Sequence, residues 1–391
     1  MYAFLLAIIY FAFISLGLPD SLIGAGWPVM HTDLGVPTAA AGIVTMIIAG
    51  GTIVSSLLSD RLTRRLGVGL VTAISVGMTA GALFGFSTST EFWMLCLWAV
   101  PYGLGAGAVD AALNNYVALH YSSKHMSWLH AFWGVGASIS PFIMSYALSR
   151  NLGWETGYRS VGIIQIALTV LLFATIPLWR KVNPGVVAAD GGEPAPALSL
   201  AAALRITGVP KMLLAFFSYC ALESTAIIWA ATYLVQHRGV AVATAAAFAS
   251  LFLLGITAGR FLSGFIADTL GDRQLIRWGF ALIGVGALLI LLPLETDVLA
   301  LAGLVIMGLG GAPVYPSIIH STPSNFGREN SQAIVGIQMA SAYTGSTFMP
   351  PLFGVLGAWL GMWIFPIFVL VFVALGLAMT ERLNGQVDAR A

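Results

Sequence analysis

Acidic residues inside apolar stretches are the first feature of this chain that could do chemistry. Asp110 lies within Pro101 to Tyr121, P-Y-G-L-G-A-G-A-V-D-A-A-L-N-N-Y-V-A-L-H-Y, a segment long and apolar enough to cross a bilayer. Asn114 follows four residues on, so both side chains leave the same helix face. An ionised carboxylate in hydrocarbon costs about 2.5–3.5 kcal/mol even on insertion scales. It persists where it faces a cavity, a partner or a proton. Two other acids sit in apolar segments: Asp20, in L-G-L-P-D-S-L, and Glu223, which begins Glu-Ser-Thr as Asp20 begins Asp-Ser-Leu. The other acidic residues fall in loops, tails or the span-end motif described below. No Lys or Arg is expected at comparable depth, so each of the three must be neutral much of the time, hydrated, or bound to a cation. Desolvation favours the neutral acid, and a site whose charge changes is what a proton-coupled carrier needs. The alternative for each is a neutral acid hydrogen-bonded within a helix bundle.

Polar and aromatic groups recur near these acids at helical spacing. Asn114 and Asn115 suit a solute hydroxyl or helix-to-helix bonding. His130 and Trp133 share one face of the next apolar segment, where the histidine suits a gate or a structural contact. Trp229 and Tyr233 follow Glu223 and make that helix partly aromatic. Tyr315, Gln338 and Tyr343 are further candidates for solute contact, whereas His320 and Asn325 read as loop-end residues. Pro19 beside Asp20 frees backbone groups that can line a cavity.

The elements that must position these residues follow from composition. The chain has 391 residues, 58% of them apolar and 8% charged, with a mean hydropathy of +0.91. A soluble protein could not hide that much apolar surface. At about 20 residues per crossing, twelve spans are expected, at about 3–25, 37–58, 68–88, 92–118, 129–149, 158–179, 211–236, 242–266, 275–293, 298–320, 331–356 and 359–379. The first apolar segment has no basic leader and reads as a permanent span. A Gly/Pro-rich stretch follows the sixth span, so the expected organisation is a six-span bundle over 1–180, a linker over 181–209 and a second bundle over 210–391. With both termini in the cytoplasm, fourteen basic residues, Arg260 included, fall on that side. Only Arg150, Arg159 and Arg238 fall outside. This is the asymmetry the positive-inside rule demands.

The halves repeat. Asp60, after the second span, matches Asp268, after the eighth, at an offset of 208. G-L-G-A-G-A-V from Gly103 recurs as G-L-G-G-A-P-V from Gly308 at offset 205, and Gly136 and Pro141 match Gly345 and Pro350 at 209. Tyr315 occupies the repeat position of Asp110. Glycines allow close helix approach, and two parallel repeats put a transport path on the axis between them.

These residues resemble the major facilitator superfamily, whose signature after the second and eighth spans is Gly-x-x-x-Asp-x-x-Gly-x-Arg-Lys/Arg. Gly264, Asp268, Gly271 and Arg273 match it. The first copy keeps Asp60, Arg64 and Arg65 but has Ser56 and Thr63 where glycines are usual. The resemblance implies an all-α membrane protein with twelve helices in two pseudo-symmetric six-helix bundles, and a gate role for Asp60, Arg61, Arg65, Asp268 and Arg273. A narrower resemblance is to the fucose–proton symporters, which carry one carboxylate in the first span and one in the fourth, here Asp20 and Asp110. It implies proton-coupled symport of a small polar solute such as a sugar. Rival expectations are a proton-driven exporter of drugs or metabolites and a membrane receptor that moves nothing. Sodium stands beside the proton as a coupling ion. The expected setting is the plasma membrane and the expected state a monomer.

Other classes find no support in the residues. A net charge of +1 argues against nucleic acid, and the six histidines and the cysteines Cys96 and Cys220 show no metal-ligand spacing. No cofactor motif, phosphate loop or nucleophile elbow occurs. G-L-G-A-G-A lies within a span rather than after a strand. An enzyme is therefore not expected, and transport has to draw on a gradient.

Overall fold

A computed structural model describes residues 2–182, 198–293 and 297–389. Of the expected linker, 183–197 lie outside the described residues, as does Arg390. In lipid every backbone polar group needs an internal partner, which helices supply. The described residues accordingly form helices and no strands.

Among the described residues, eleven helices are both long and apolar enough to cross a membrane: Phe4–Asp33, Thr38–Leu66, Val68–Ser87, Phe92–His120, Ser123–Ser149, Trp154–Ala174, Val209–Gln236, Val242–Leu270, Asp272–Leu291, Val298–His320 and Met362–Asp388. In chain order these are spans one to ten and twelve. The eleventh span, Arg328–Leu360, has 33 residues. It is long enough to cross, but Gln338, Ser341, Thr344, Ser346 and Thr347 dilute its apolar character.

The expected spans are all present, and the ends differ for local reasons. The first span runs on to Asp33 because Pro19 bends it without ending it: one helix closes at Asp20 and the next opens at Leu22. The sixth span stops at Ala174, and a short helix, Ile176–Val182, follows. The tenth span breaks between Gly311 and Val314, at Pro313.

The chain divides into two compact units. One holds Met1–Tyr116 and Leu129–Ser199; the other holds Val117–Trp128 and Leu200–Ala391. The turn joining the fourth and fifth spans thus belongs with the second unit.

The sequence repeat is also a packing repeat. In the first unit, a Cβ on Gly103 would strike the carbonyl of Ile48 in the second span, and one on Gly136 would strike the carbonyl of Ile14 in the first. In the second unit, Gly308 sits in the same way against the carbonyl of Phe252, and Gly345 against that of Phe217. The paired glycines therefore close the same crossings in each half. The first unit's core packs Leu22, Trp27, Met30, Phe86, Trp154 and Tyr158 at the end of the first span beyond the bend.

Candidate functional site

The bend at Pro19 builds the first cluster. Proline has no N–H to offer the carbonyl four residues earlier, and Gln165 Nε2, from the sixth span, donates to Ser15 O instead at 2.7 Å. Thr79 Oγ1 in turn donates to Gln165 Oε1 at 2.7 Å. All three residues are buried. They line a small cavity with Pro19 and Tyr102.

Asp20 follows the bend and is exposed, although both its partners come from neighbouring spans. Tyr102 OH donates to Oδ1 and Trp133 Nε1 to Oδ2, each at 3.0 Å. Asp20 and Asp110 lie within electrostatic reach of each other. No lysine or arginine pairs with Asp20 among the described residues.

Asp110 heads a second, buried cluster. Asn114 Nδ2 donates to Asp110 Oδ1 at 2.8 Å, and Asn114 Oδ1 lies 3.0 Å from His130 Nε2. An amide oxygen only accepts, so this geometry puts a proton on Nε2. Asp110, Asn114, Asn115 and His130 are each at most 6% exposed.

The second unit holds its acid differently. Glu223 Oε1 is 3.2 Å from Arg260 Nη2. The guanidinium lies 5.9 Å from the Tyr315 ring centre. Arg260 was expected on the cytoplasmic side, with no cation deep enough to meet Glu223; the structure corrects both points. The eighth span continues ten residues past Arg260 to Leu270. That puts the Arg260 Cα about 15 Å, at 1.5 Å per residue, from the helix end. Tyr219, one turn before Glu223, donates from its hydroxyl to Gly311 O at 2.8 Å.

The other candidate solute contacts are spread through the second unit. Trp229 Nε1 donates to Pro350 O at 2.9 Å and Tyr233 OH to Ile290 O at 3.1 Å, so both are tied into helix packing. Gln338 is fully buried and accepts from Thr322 Oγ1 at 2.9 Å. Tyr315 OH points to Met339 Sδ at 3.5 Å. Tyr343 is half-buried.

The residues expected at a gate fall into two settings. In the first unit, buried Asp60 accepts from Arg64 Nε at 2.9 Å, while Arg61 and Arg65 are exposed. In the second unit, Asp268 accepts from Ser122 Oγ at 2.9 Å and the Lys124 amide at 3.1 Å. Arg273 pairs with Asp388 on the surface. Two residues outside the expected set complete this end. Asp272 accepts from Ser123 Oγ at 2.6 Å, and His320 places Nδ1 2.6 Å from Asp272 Oδ2 and Nε2 3.1 Å from Tyr121 O. Both ring nitrogens face acceptors, so the imidazole satisfies both contacts only as the cation. Tyr102, Gln165 and Asp272 carry no sequence signal beyond their types. Arg260 carried one: it stands inside L-F-L-L-G-I-T-A-G-R-F-L-S-G-F-I-A, an apolar run on both sides.

A family model described as Major Facilitator Superfamily matches residues 9–249 and 212–383. The chain belongs to this superfamily. It is 26% identical over 81% of its length to a probable nitrate/nitrite antiporter of Thermus thermophilus, covering 77% of that protein. Its fold matches the fucose:proton symporter of E. coli with a TM-score of 0.76, 15% identity and coverage of 98% and 99%. It also matches the human organic anion transporter MFSD10, with a TM-score of 0.77, 14% identity and coverage of 97% and 98%. The protein is a multi-pass membrane transporter of the twelve-helix facilitator fold.

Proposed function

We propose that this facilitator is a proton-coupled secondary carrier of a small polar solute, working by rocking of the six-helix bundles over 1–180 and 210–391. The observation that supports it is Asp20: a carboxylate deep in a span, exposed, and held among the described residues by the neutral donors Tyr102 and Trp133. A carboxylate with neutral donors changes charge when it takes a proton, and nothing fixed beside it cancels that change. Asp110 is the second coupling acid, oriented by Asn114 and His130. On this reading Asp268 and Asp272 close the cytoplasmic end together with the turn after the fourth span. Both termini lie in the cytoplasm and the carrier sits in the plasma membrane as a monomer. Sugars are the neutral solutes to try first; outward movement of metabolites is the other direction the same machinery could run.

The test uses reconstituted vesicles with an imposed inward proton gradient and a panel of sugars and sugar acids. An accepted solute should accumulate at least tenfold more with the gradient than without it. Asp20→Asn should abolish accumulation while leaving counterflow exchange. Accumulation by Asp20→Asn equal to wild type would overturn the assignment of proton coupling to Asp20.

A further inference from the structure

The second unit carries a buried cation that the coupling scheme does not use. We infer that Arg260 is an anion-binding residue, and that Glu223 occupies in the empty protein the place a small planar oxyanion takes in the loaded one. The inference rests on the transporter reading and names the class of its solute.

The guanidinium of Arg260 offers a fork that matches a carboxylate or nitrate. The contact it makes with Glu223 is loose: 3.2 Å from Nη2 to Oε1, against about 2.7–2.9 Å for a tight charge-assisted bond. The carboxylate is the more exposed member of the pair. The Glu223 side chain is 15% exposed and that of Arg260 only 5%. Tyr315 is also partly exposed. An incoming molecule therefore reaches the carboxylate first.

The architecture does not require the pair. Gly103 against Ile48 and Gly308 against Phe252 match Ile48 to Phe252, an offset of 204 along the second and eighth spans at this crossing, one turn short of the 208 at which the span-end motifs align. By that offset Arg260 corresponds to Ser56. Ser56 Oγ closes the same crossing in the first unit by donating to Gly107 O at 3.2 Å. One half thus packs these helices with a hydroxyl, and the other places a cation and a carboxylate there.

A free anion cannot share Arg260 with an ionised Glu223 at this spacing, because two like charges would meet in a low dielectric. Protonation of Glu223 removes that repulsion and leaves the guanidinium to the solute. The proton and the anion then bind together, and the site's net charge is the same empty and loaded. The groups facing Glu223 are Arg260 from the eighth span and Tyr219 from its own, with Tyr315 from the tenth lying across the guanidinium.

Binding to the purified full-length protein in detergent tests this without any gradient. Sodium gluconate and sodium nitrate serve as probes, and D-glucose as the neutral counterpart of gluconate. Gluconate or nitrate should bind wild type at pH 6 and weaken at least tenfold by pH 8. Glu223→Gln should bind the same anion at pH 8 as tightly as wild type does at pH 6. The paired variant Glu223→Gln with Arg260→Gln, which leaves no buried charge unmatched, should bind neither. Gluconate binding without nitrate, or the reverse, identifies which oxyanion fits. Failure of both anions to bind wild type at pH 6 overturns the inference, as does a Glu223→Gln protein that keeps the wild-type pH profile. These outcomes separate from failure of the coupling scheme, because anion binding is read in detergent without any gradient, whereas coupling through Asp20 is read only as gradient-driven accumulation in vesicles.

Discussion

Asp20 and Glu223 stand at matching places in the two halves, each opening a short polar sequence in the first span of its unit, yet they are held in opposite ways. Asp20 receives hydrogen bonds from a phenol and an indole. Glu223 faces a guanidinium. The first arrangement leaves a net charge that a proton can cancel. The second is already balanced, and it changes only if something takes the place of one partner. The repeated packing of glycines shows that the two halves share a scaffold. The difference therefore lies in what was placed on it: a responsive acid in one unit, a paired cation in the other.

The largest expected effect breaks the second arrangement. Arg260→Leu leaves Glu223 without its counter-charge, and breaking a buried pair by removing one partner costs about 3–5 kcal/mol. The variant should unfold at a markedly lower temperature in detergent than Asp20→Asn, which keeps an acceptor for Tyr102 or Trp133. Adding Glu223→Gln should recover much of the loss. Equal melting of Arg260→Leu and wild type would show that the pair carries no structural charge balance.

The second comparison lies between the two copies of the span-end motif. Asp60 is bonded to Arg64 one turn away, within its own helix, whereas Asp268 and Asp272 hold the Ser122–Lys124 turn and His320. Hydrogen bonds to charged groups contribute about 1.5–3 kcal/mol, so losing the imidazolium should loosen the turn by that order. The sign follows from the geometry: the cation holds both contacts at low pH, and deprotonation takes one donor away as pH rises. In a background without Cys96 and Cys220, Lys124→Cys should react faster with a maleimide at pH 8.5 than at pH 6, after correction by a cysteine at exposed Arg61. His320→Gln should flatten that difference. A corrected ratio unchanged by His320→Gln would assign the pH response elsewhere.

Much of the fold was legible because apolar run length and glycine position are local properties. The twelve spans and the Gly103/Gly308 correspondence follow from them. The expectation failed where a residue's depth and its partner decide. The topology count puts Arg260 on the cytoplasmic side, but the helix continues to Leu270 and the partner is 37 residues away in sequence. Tyr102 and Gln165 carry no signal in the sequence for the same reason: each is an ordinary residue in a span until a tertiary contact turns it toward Asp20 or toward the carbonyl that Pro19 leaves open. Trp229 and Tyr233 show the converse. Their spacing from Glu223 suggested a solute-facing stripe, and the structure ties both to backbone carbonyls of neighbouring spans.

That open carbonyl gives the third prediction. Gln165→Leu leaves Ser15 O buried without its donor, at about 1–3 kcal/mol. In the second unit Leu222 stands one place before Glu223 where Pro19 stands before Asp20, so no equivalent debt exists there. Thermal unfolding should register the loss for Gln165→Leu. A Pro19→Ala change added to it should restore stability by returning an N–H to the ladder, and no recovery would mean that the glutamine serves something other than the bend.

The smallest effect isolates the crossing that Ser56 and Arg260 share. Ser56→Ala removes one neutral hydrogen bond to Gly107 O, and such a bond contributes about 0.5–1.5 kcal/mol. The alanine still fits the close approach that Gly107 permits, so anion binding and proton-driven accumulation should stay at wild-type levels. Set beside Arg260→Leu, it measures what the shared scaffold needs from this position against what the second unit adds. If Ser56→Ala proved as damaging as Arg260→Leu, the crossing itself would be the fragile element, and the charge at Arg260 would no longer distinguish the halves.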